Sequence, residues 1–211
     1  MPAIRRNSLQ LQSMVMLFCK PATKKETVYE QFPGSCQGIS FRSFDLKKDI
    51  PVIHQWVNSE YSKEFWQLDQ SKEKLHELYK SVLQNPNAHS FIGLFDNKRI
   101  CQIDLYRVQA DELGKHLSVH FNDCGMHLLM APLQKPISGL SRKIMEAFLK
   151  YYFSFSHAEC MYAEPDIHNH KACRLLERSG FIFQQNIMLL SKAASLYLMT
   201  RKQFYEAYPN H

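Results

Sequence analysis

One histidine in an apolar segment and an acidic turn downstream of it are the residues best suited to proton chemistry. His127 lies within 125–132, between leucines and methionines, and an imidazole titrates near neutral pH. Glu164 and Asp166 stand in the stretch 162–181, just before a helical pattern. An isolated histidine is more often a core residue, and Asp166 has the type and place of a helix N-cap. The residues alone therefore leave structural and catalytic roles open.

A second candidate site is the start of a helix around Gly139. Ser138-Gly-Leu-Ser141 follows a loop with two prolines and precedes an apolar helical pattern that runs to Phe153. Successive backbone N–H groups at a helix N-terminus, with little side-chain bulk, bind phosphate groups. The other interpretation is an ordinary helix with Ser138 as its N-cap, and the spacing alone favours it.

The elements that must position these residues alternate between strand and helix patterns. Alternating or short apolar runs predict strands, and apolar residues at i, i+3 and i+4 predict helices. Strands are predicted at 39–44, 90–95, 100–106, 117–121, 126–130, 160–163, 181–190 and 194–200, and helices from 45, at 71–83, at 139–153 and at 168–178. This order predicts one mixed sheet flanked by helices.

The bulk properties predict a single soluble domain. The chain has 211 residues, 45% of them hydrophobic, with a net charge of +6. Because much of that charge lies in an N-terminal extension, residues 1–37, it does not indicate a nucleic-acid-binding face. The extension adds one possible strand at 27–32, and residues 38–211 form the domain. No C-x-x-C pair and no membrane-length apolar stretch occur, so we expect reduced thiols, no membrane partner and a cytoplasmic protein.

Several short motifs, in this order of elements, resemble the GNAT acyltransferases. Within them the sequence is similar to the siderophore branch, the aerobactin-type hydroxylysine acetyltransferases and mycobactin-type lysine acyltransferases. The matching residues are Phe41–Asp45, Ile53–Trp56, Glu60-Tyr61 with Phe65–Leu68, Asp104–Tyr106, Asp123–Pro132, and Glu164–Asp166 through Asn169, Ala172, Gly180 and Phe181. The resemblance covers residues 39–200 and implies an α/β (α+β) GNAT fold. It implies a mixed, mostly antiparallel sheet of about six or seven strands, flanked by about four helices.

The resemblance also implies a role for particular residues. His127 and Asp166 would be catalytic, and no metal is implied. Acetyl-CoA, or another acyl-CoA, would be bound by Leu129, Met130, Ser138, Gly139, Leu140, Ser141, Asn169, Ala172 and Cys173. The acceptor would be bound by Trp66, Asp104, Tyr106 and Glu164.

The implied function is acyl transfer to the hydroxylamine of N-epsilon-hydroxylysine or a similar hydroxylated amine, in hydroxamate siderophore synthesis. Transfer would be direct in a ternary complex, by a monomer or homodimer. Two departures bear on this: Pro136 stands where the cofactor loop usually has a basic or amide residue, and Asp104 where this branch commonly has glutamate. The alternatives are an aminoglycoside-type or lysine N-acetyltransferase, or a non-catalytic acyl-CoA-binding protein.

Overall fold

The computed structural model describes the backbone of residues 27–31, 38–66 and 71–209. The side chains of 27–31, Tyr61 and Trp66 lie outside that description, as do the extension before residue 27 and the question of its start site. The predicted acceptor contact of Trp66 therefore remains a prediction.

The described residues form eight strands and six α-helices. The strands are β1 (Thr27–Gln31), β2 (Ile39–Ser43), β3 (Ala88–Phe95), β4 (Lys98–Arg107), β5 (Cys124–Met130), β6 (Cys160–Ala163), β7 (Ile182–Met188) and β8 (Ala193–Thr200). The helices are α1 (Leu46–Val57), α2 (Glu60–Trp66), α3 (Lys72–Gln84), α4 (Leu140–Phe153), α5 (His170–Arg178) and α6 (Arg201–Ala207). Two short 3₁₀ helices, Val108–Ala110 and Glu112–Lys115, follow β4.

One sheet contains all eight described strands, in the order β1-β2-β3-β4-β5-β6-β8-β7. Every neighbouring pair is antiparallel except β5 and β6, which run parallel. Their pairing consists of Cys124 with Met161 and Gly125 with Tyr162. Because β5 continues to Met130 beyond these pairs, the two strands diverge and leave a gap in the sheet.

Local sequence signals explain the boundaries of the elements around this gap. Asp45 caps α1 by accepting hydrogen bonds from the backbone N–H groups of the first turn, and Ser71 caps α3 in the same way. Asp96 and Asn97 form the turn between β3 and β4, and both have positive φ angles, 49° and 61°. Asp and Asn tolerate that conformation, which a two-residue hairpin turn requires.

The side chains of β5 point alternately into two apolar layers. Met126 packs in the larger cluster with α4, whereas Leu129 packs in a second cluster with α1 and α3. His127 shares the face of Leu129, because the two residues are two apart on one strand. It therefore faces the side of the sheet covered by α1 and α3.

The fold class predicted by the resemblance is confirmed, and the strand of the extension joins the sheet as β1. Residues 38–211 contribute seven of the eight described strands, as predicted, whereas helices α2 and α6 were not predicted.

The predicted strand at 117–121 is wrong, because those residues are irregular. Both edges of β4 are already paired, with β3 and β5, so this segment has no sheet edge beside β4 to join. Instead, buried Arg107 Nη1 donates to the Phe121 carbonyl at 2.7 Å, and its guanidinium lies 4.5 Å from the centre of the Phe121 ring.

Candidate active site

A cavity of about 880 Å³ opens at the gap between β5 and β6. Its wall includes β5 and the segment that follows β6, together with residues of α2, α3, α4 and α5. The predicted site residues that line it are Asp104, His127, Leu129, Met130, Leu140, Ser141, Glu164, Asp166, Asn169 and Ala172. The structure thus brings most of the predicted residues to one place.

His127 is held by the carboxylate of Glu164, not by Asp166. His127 Nε2 lies 2.6 Å from Glu164 Oε1. A carboxylate can only accept a hydrogen bond, so the imidazole is the donor at Nε2. The lone pair of the neutral ring is then at Nδ1. The His127 side chain keeps 40% of its surface exposed to the cavity, whereas that of Glu164 keeps 4%.

Tyr106 fixes the other oxygen of Glu164. Its hydroxyl donates to Glu164 Oε2 at 2.8 Å, and its ring centre lies 4.9 Å from that of His127. Tyr106 is paired with Gly125 across β4 and β5, and a Cβ at Gly125 would overlap the Tyr106 ring and hydroxyl. The absence of a side chain at Gly125 therefore lets Tyr106 lie across the strand and reach Glu164.

The predicted place of Tyr106 in the acceptor pocket needs correction. Tyr106 is buried and is not among the residues that line the cavity. Tyr106 instead orients the His127–Glu164 pair, because its hydroxyl donates a hydrogen bond to Glu164.

His127 and Glu164 shift each other's pKa values. Burial lowers the pKa of His127, but the Glu164 charge and hydrogen bond outweigh burial and raise that pKa above its usual value. Burial raises the pKa of Glu164, but the His127 charge and hydrogen bond, the nearby Lys192 ammonium and the Tyr106 hydroxyl lower it well below its usual range. Glu164 therefore stays ionised and favours the protonated form of His127.

Asp104 lies beside His127 on the next strand. The two residues are directly paired between β4 and β5, which puts their side chains on one face of the sheet. Gln102 Nε2 donates hydrogen bonds to Asp104 Oδ1 and to Ser90 Oγ. These bonds hold the Asp104 carboxylate in place. Burial raises the pKa of Asp104, although the Gln102 bond and the His127 charge act against it.

Asp166 lines the cavity but is not the N-cap of α5. Its Oδ1 accepts from the His168 backbone N–H at 2.8 Å, and Asp166 pairs with Ala194 in an isolated bridge. Asn169 is the N-cap, since its side chain accepts from the Ala172 backbone N–H at 3.1 Å. Asp166 therefore caps the turn before the helix, and its catalytic role remains a prediction.

The start of α4 differs from an ordinary capped helix. Gly139, not Ser138, is the N-cap; its φ is 72°, and no side chain caps the helix. A Cβ at Gly139 would meet nothing within 4 Å, so the approach to the first turn is open. Ser141 lines the cavity, whereas Ser138, Gly139 and Cys173 do not. An uncapped helix start at the edge of a cavity fits the phosphate groups of a nucleotide cofactor.

Two residues of the cavity were missed in the sequence. Lys192 lies in the turn between β7 and β8, with Nζ 3.9 Å from Glu164 Oε1. Tyr79 of α3 lines the cavity although it is buried. Tyr79 belongs to the apolar face of a predicted helix, whose pattern indicates core packing. Nothing in the spacing of Lys192 distinguishes it from an exposed turn lysine.

Other kinds of site are not found among the described residues. They contain no group of three or more His, Cys, Asp or Glu side chains suited to a metal ion. Cys101, Cys124, Cys160 and Cys173 form no disulfide bonds among the described residues. No helix in the described ranges is long and apolar enough to cross a membrane.

Comparison with known proteins agrees with this geometry. The acetyltransferase (GNAT) domain family matches residues 45–189. N(6)-hydroxylysine O-acetyltransferase of Escherichia coli is 23% identical over 188 residues, which are 88% of this chain and 60% of that protein. The chain thus spans less than two thirds of this relative's length.

Two further relatives lie at similar distance. Lysine N-acyltransferase MbtK of Mycobacterium sp. (strain MCS) is 21% identical over 170 residues, covering 80% of this chain and 70% of that protein. The structure of AAC(6')-Ib with paromomycin and acetyl-CoA superposes with a TM-score of 0.75 at 20% identity, covering 82% of this chain and 99% of that one. At this identity the superposition supports the fold alone.

Proposed function

Because the chain belongs to the GNAT acetyltransferase family, we propose that it is an acyl-CoA-dependent N-acyltransferase. Its acceptor is the hydroxylamine of N-epsilon-hydroxylysine or a similar hydroxylated amine, and its product serves hydroxamate siderophore synthesis. The similarity to a hydroxylysine acetyltransferase and a lysine acyltransferase supports this acceptor class.

The observation that carries the proposal is the His127–Glu164–Tyr106 chain beside the sheet gap. A hydroxylamine is largely neutral near pH 7, so its nitrogen can attack without prior deprotonation. His127 in its neutral form takes up the proton released from that nitrogen, at Nδ1. Glu164 holds the other ring nitrogen at 2.6 Å and stabilises the imidazolium that forms. No cysteine is needed as a nucleophile.

The cofactor would be held by the edge of β5 and the start of α4. Between Met126 and Met130 the β6-facing edge of β5 has no strand partner among the described residues, which leaves room for an extended pantetheine arm. The first-turn N–H groups of α4, including that of Ser141, would bind the pyrophosphate. When bound, acyl-CoA supplies the activated acyl thioester. Pro136 offers no basic group, so in this proposal the backbone carries phosphate recognition.

The charges of the cavity favour an amino acid over a polycation. Asp104, Glu164 and Asp166 line it, together with Lys171 and Lys192. Because two lysines accompany the three carboxylates, the wall is close to charge balance. An aminoglycoside carries several positive charges and would gain little there, whereas an amino acid can place its carboxylate near a lysine.

The test is an acceptor screen with acetyl-CoA. Thiol release is followed with N6-hydroxylysine, lysine, a hydroxylated diamine and an aminoglycoside as acceptors. Ferric ion then distinguishes the products, because an N-acetyl hydroxamate chelates iron and an O-acetyl ester does not. Turnover of the aminoglycoside alone, or no acetyl-CoA binding by calorimetry, would contradict the proposal.

Two histidine variants connect the screen to the site. His127→Ala should lower kcat by about 10²- to 10⁴-fold, the usual contribution of general base catalysis. His76→Ala is the matched control, because His76 is a partly exposed residue of α3 that does not line the cavity. Unchanged turnover by His127→Ala would remove the catalytic role of that residue.

Lys192→Met tests the acceptor's carboxylate. It should raise KM for hydroxylysine by about tenfold but leave KM for the hydroxylated diamine nearly unchanged. Lys192 also lowers the pKa values of Glu164 and His127. That effect is common to both acceptors and cancels in the ratio of their KM values. An equal change for both acceptors would show that Lys192 does not bind the carboxylate.

A further inference from the structure

Tyr79 combines a core position with a hydroxyl group that the fold does not use. Its ring stacks on Phe44, with ring centres 4.5 Å apart and planes 6° apart, and the residue is 1% exposed. Its hydroxyl is buried and has no hydrogen-bond partner among the described residues. An unpaired buried hydroxyl destabilises the folded protein, and phenylalanine would provide the same ring packing without that cost.

No other tyrosine among the described residues has a buried hydroxyl without a hydrogen-bond partner. Tyr106 bonds to Glu164, Tyr152 to the Cys160 carbonyl, and Tyr208 to the Ser179 carbonyl. Of these four tyrosines, Tyr79 is the one that lines the cavity. An unused donor at the wall of a binding cavity points to a ligand as its partner.

Asp104 lies on the same side of the sheet as Tyr79, because Tyr79 packs with Leu129, which shares that face with His127 and its strand partner Asp104. Burial is the main reason why the pKa of Tyr79 is raised, and the Asp104 charge raises it further, so the two groups are electrostatically close. Asp104 also lines the cavity and is paired with His127 across β4 and β5. The three residues therefore surround one part of the cavity, on the α3 side of the sheet.

Resting on the proposed function, we propose that Tyr79 and Asp104 together bind the N-hydroxyl group of the acceptor. The acceptor's O–H donates to the Asp104 carboxylate, and the Tyr79 hydroxyl donates to the acceptor's oxygen. The nitrogen, one bond away, is then beside His127, because directly paired residues have Cβ atoms about 4.5–5.5 Å apart.

This pair selects N-hydroxylated acceptors over simple amines. A hydroxylamine oxygen both donates and accepts, which matches a carboxylate acceptor next to a phenol donor. An ammonium group only donates, so it can bond to Asp104 and to the phenol oxygen but leaves the Tyr79 O–H without an acceptor. Sites built to bond a substrate hydroxyl discriminate strongly against analogues that lack it, since a buried polar group is then left unpaired.

The experiment compares binding of N6-hydroxylysine and lysine by calorimetry, which does not require turnover. Wild-type protein should bind hydroxylysine at least about tenfold more tightly than lysine. Tyr79→Phe should lose most of this preference by weakening hydroxylysine binding alone, while its melting temperature stays the same or rises. Asp104→Asn is the second variant and should also weaken hydroxylysine binding more than lysine binding.

Tyr208→Phe is the matched control. It removes a hydroxyl that is bonded to the Ser179 carbonyl at 3.1 Å, away from the cavity. It should lower the melting temperature and leave the binding preference unchanged.

Equal preference in wild type and Tyr79→Phe, or equal weakening of both ligands, overturns the role of Tyr79. If wild-type protein neither binds nor acetylates hydroxylysine, the proposed function itself fails, which is a different result.

Discussion

Replacing Glu164 with Gln is the most direct test of how this site handles protons. Glutamine has the same shape, so its carbonyl can still accept from His127 Nε2 and its amide can still face the Tyr106 hydroxyl. What changes is the charge beside the ring, 2.6 Å from Nε2 in the wild-type protein.

The expected loss of rate follows from that charge. A hydrogen bond to a charged group contributes about 1.5–3 kcal/mol, and the Glu164 charge acts on His127 most strongly once the ring is protonated. About 1.4 kcal/mol in the barrier is a factor of ten in rate. Glu164→Gln should therefore lower kcat by about 10- to 150-fold, measured on the alkaline plateau where His127 begins neutral.

The pH dependence gives a second, independent sign. In the proposed mechanism activity needs neutral His127, so kcat/KM should rise with pH through the pKa of His127, which Glu164 raises above its usual 6.5. Removing the Glu164 charge lowers that pKa, and the acid limb of the profile moves to lower pH. The variant is therefore slower on the plateau but retains more of its own maximal activity in acid.

The assay is thiol release from acetyl-CoA between about pH 5 and 9, with the best acceptor from the screen. Glu206→Gln, at an exposed position on α6, is the matched control and should match wild type. Asp166→Asn should leave the acid limb in place, because His127 is bonded to Glu164. An acid limb at the same or higher pH in Glu164→Gln would refute this account of the pair.

Three further outcomes follow from the same contacts. The melting-temperature difference between wild type and Glu164→Gln should be largest between pH 4.5 and 6.5. Below this range Glu164, whose pKa is lowered in the folded protein, becomes protonated and its stabilising effect is lost. Above it His127, whose pKa is raised in the folded protein, loses its proton and its stabilising effect is lost. Gly125→Ala should destabilise by about 1–3 kcal/mol and lower kcat, since its methyl group displaces Tyr106. Asp49→Asn should cost about 3–5 kcal/mol in urea unfolding, because a fully buried carboxylate bonded to two arginines is lost.

Each of these outcomes has a clear contrary result. A stability difference that keeps growing above pH 6.5 would mean that His127 does not gain a proton through Glu164. Wild-type kcat in Gly125→Ala would mean that the placement of Tyr106 is irrelevant to turnover. A small effect of Asp49→Asn would mean that the arginines find other partners.

The residues show where prediction from sequence succeeded and where it could not. His127, Glu164 and Asp166 were recognised as candidates because of their type and their place between strand and helix. The resemblance assigned catalysis to Asp166 and acceptor binding to Glu164. The residue pattern alone could not choose between the two carboxylates, because they are two residues apart and would face the same side of an extended chain. The choice depends on where β6 ends: Glu164 follows its last residue and is buried, whereas Asp166 lies in the next turn.

Other errors had different physical causes. The segment 117–121 alternates like a strand, but a strand needs an open edge, and its environment is set by Arg107 from a distant position. Helix α6 could have been predicted from the sequence, because Thr200 and Gln203 form a capping box at its start. The unpartnered hydroxyl of Tyr79 could not have been predicted. A tyrosine on the apolar face of a helix has the same sequence pattern whether or not its hydroxyl has a partner.

The two-pair junction of β5 and β6 also divides the described sheet into two sets of strands that are each contiguous in the chain. The described strands before it, β1–β5, come entirely from the first part of the chain, and β6–β8 come entirely from the last. Helix α4 joins them, with Phe148 packed against Phe41 of β2 and Phe153 against Phe204 of α6. The two sets of strands therefore meet at a seam of two residue pairs, and shared apolar clusters pack across it. A ligand bound in the cavity at this seam binds only the folded protein, so resistance to unfolding rises with ligand saturation.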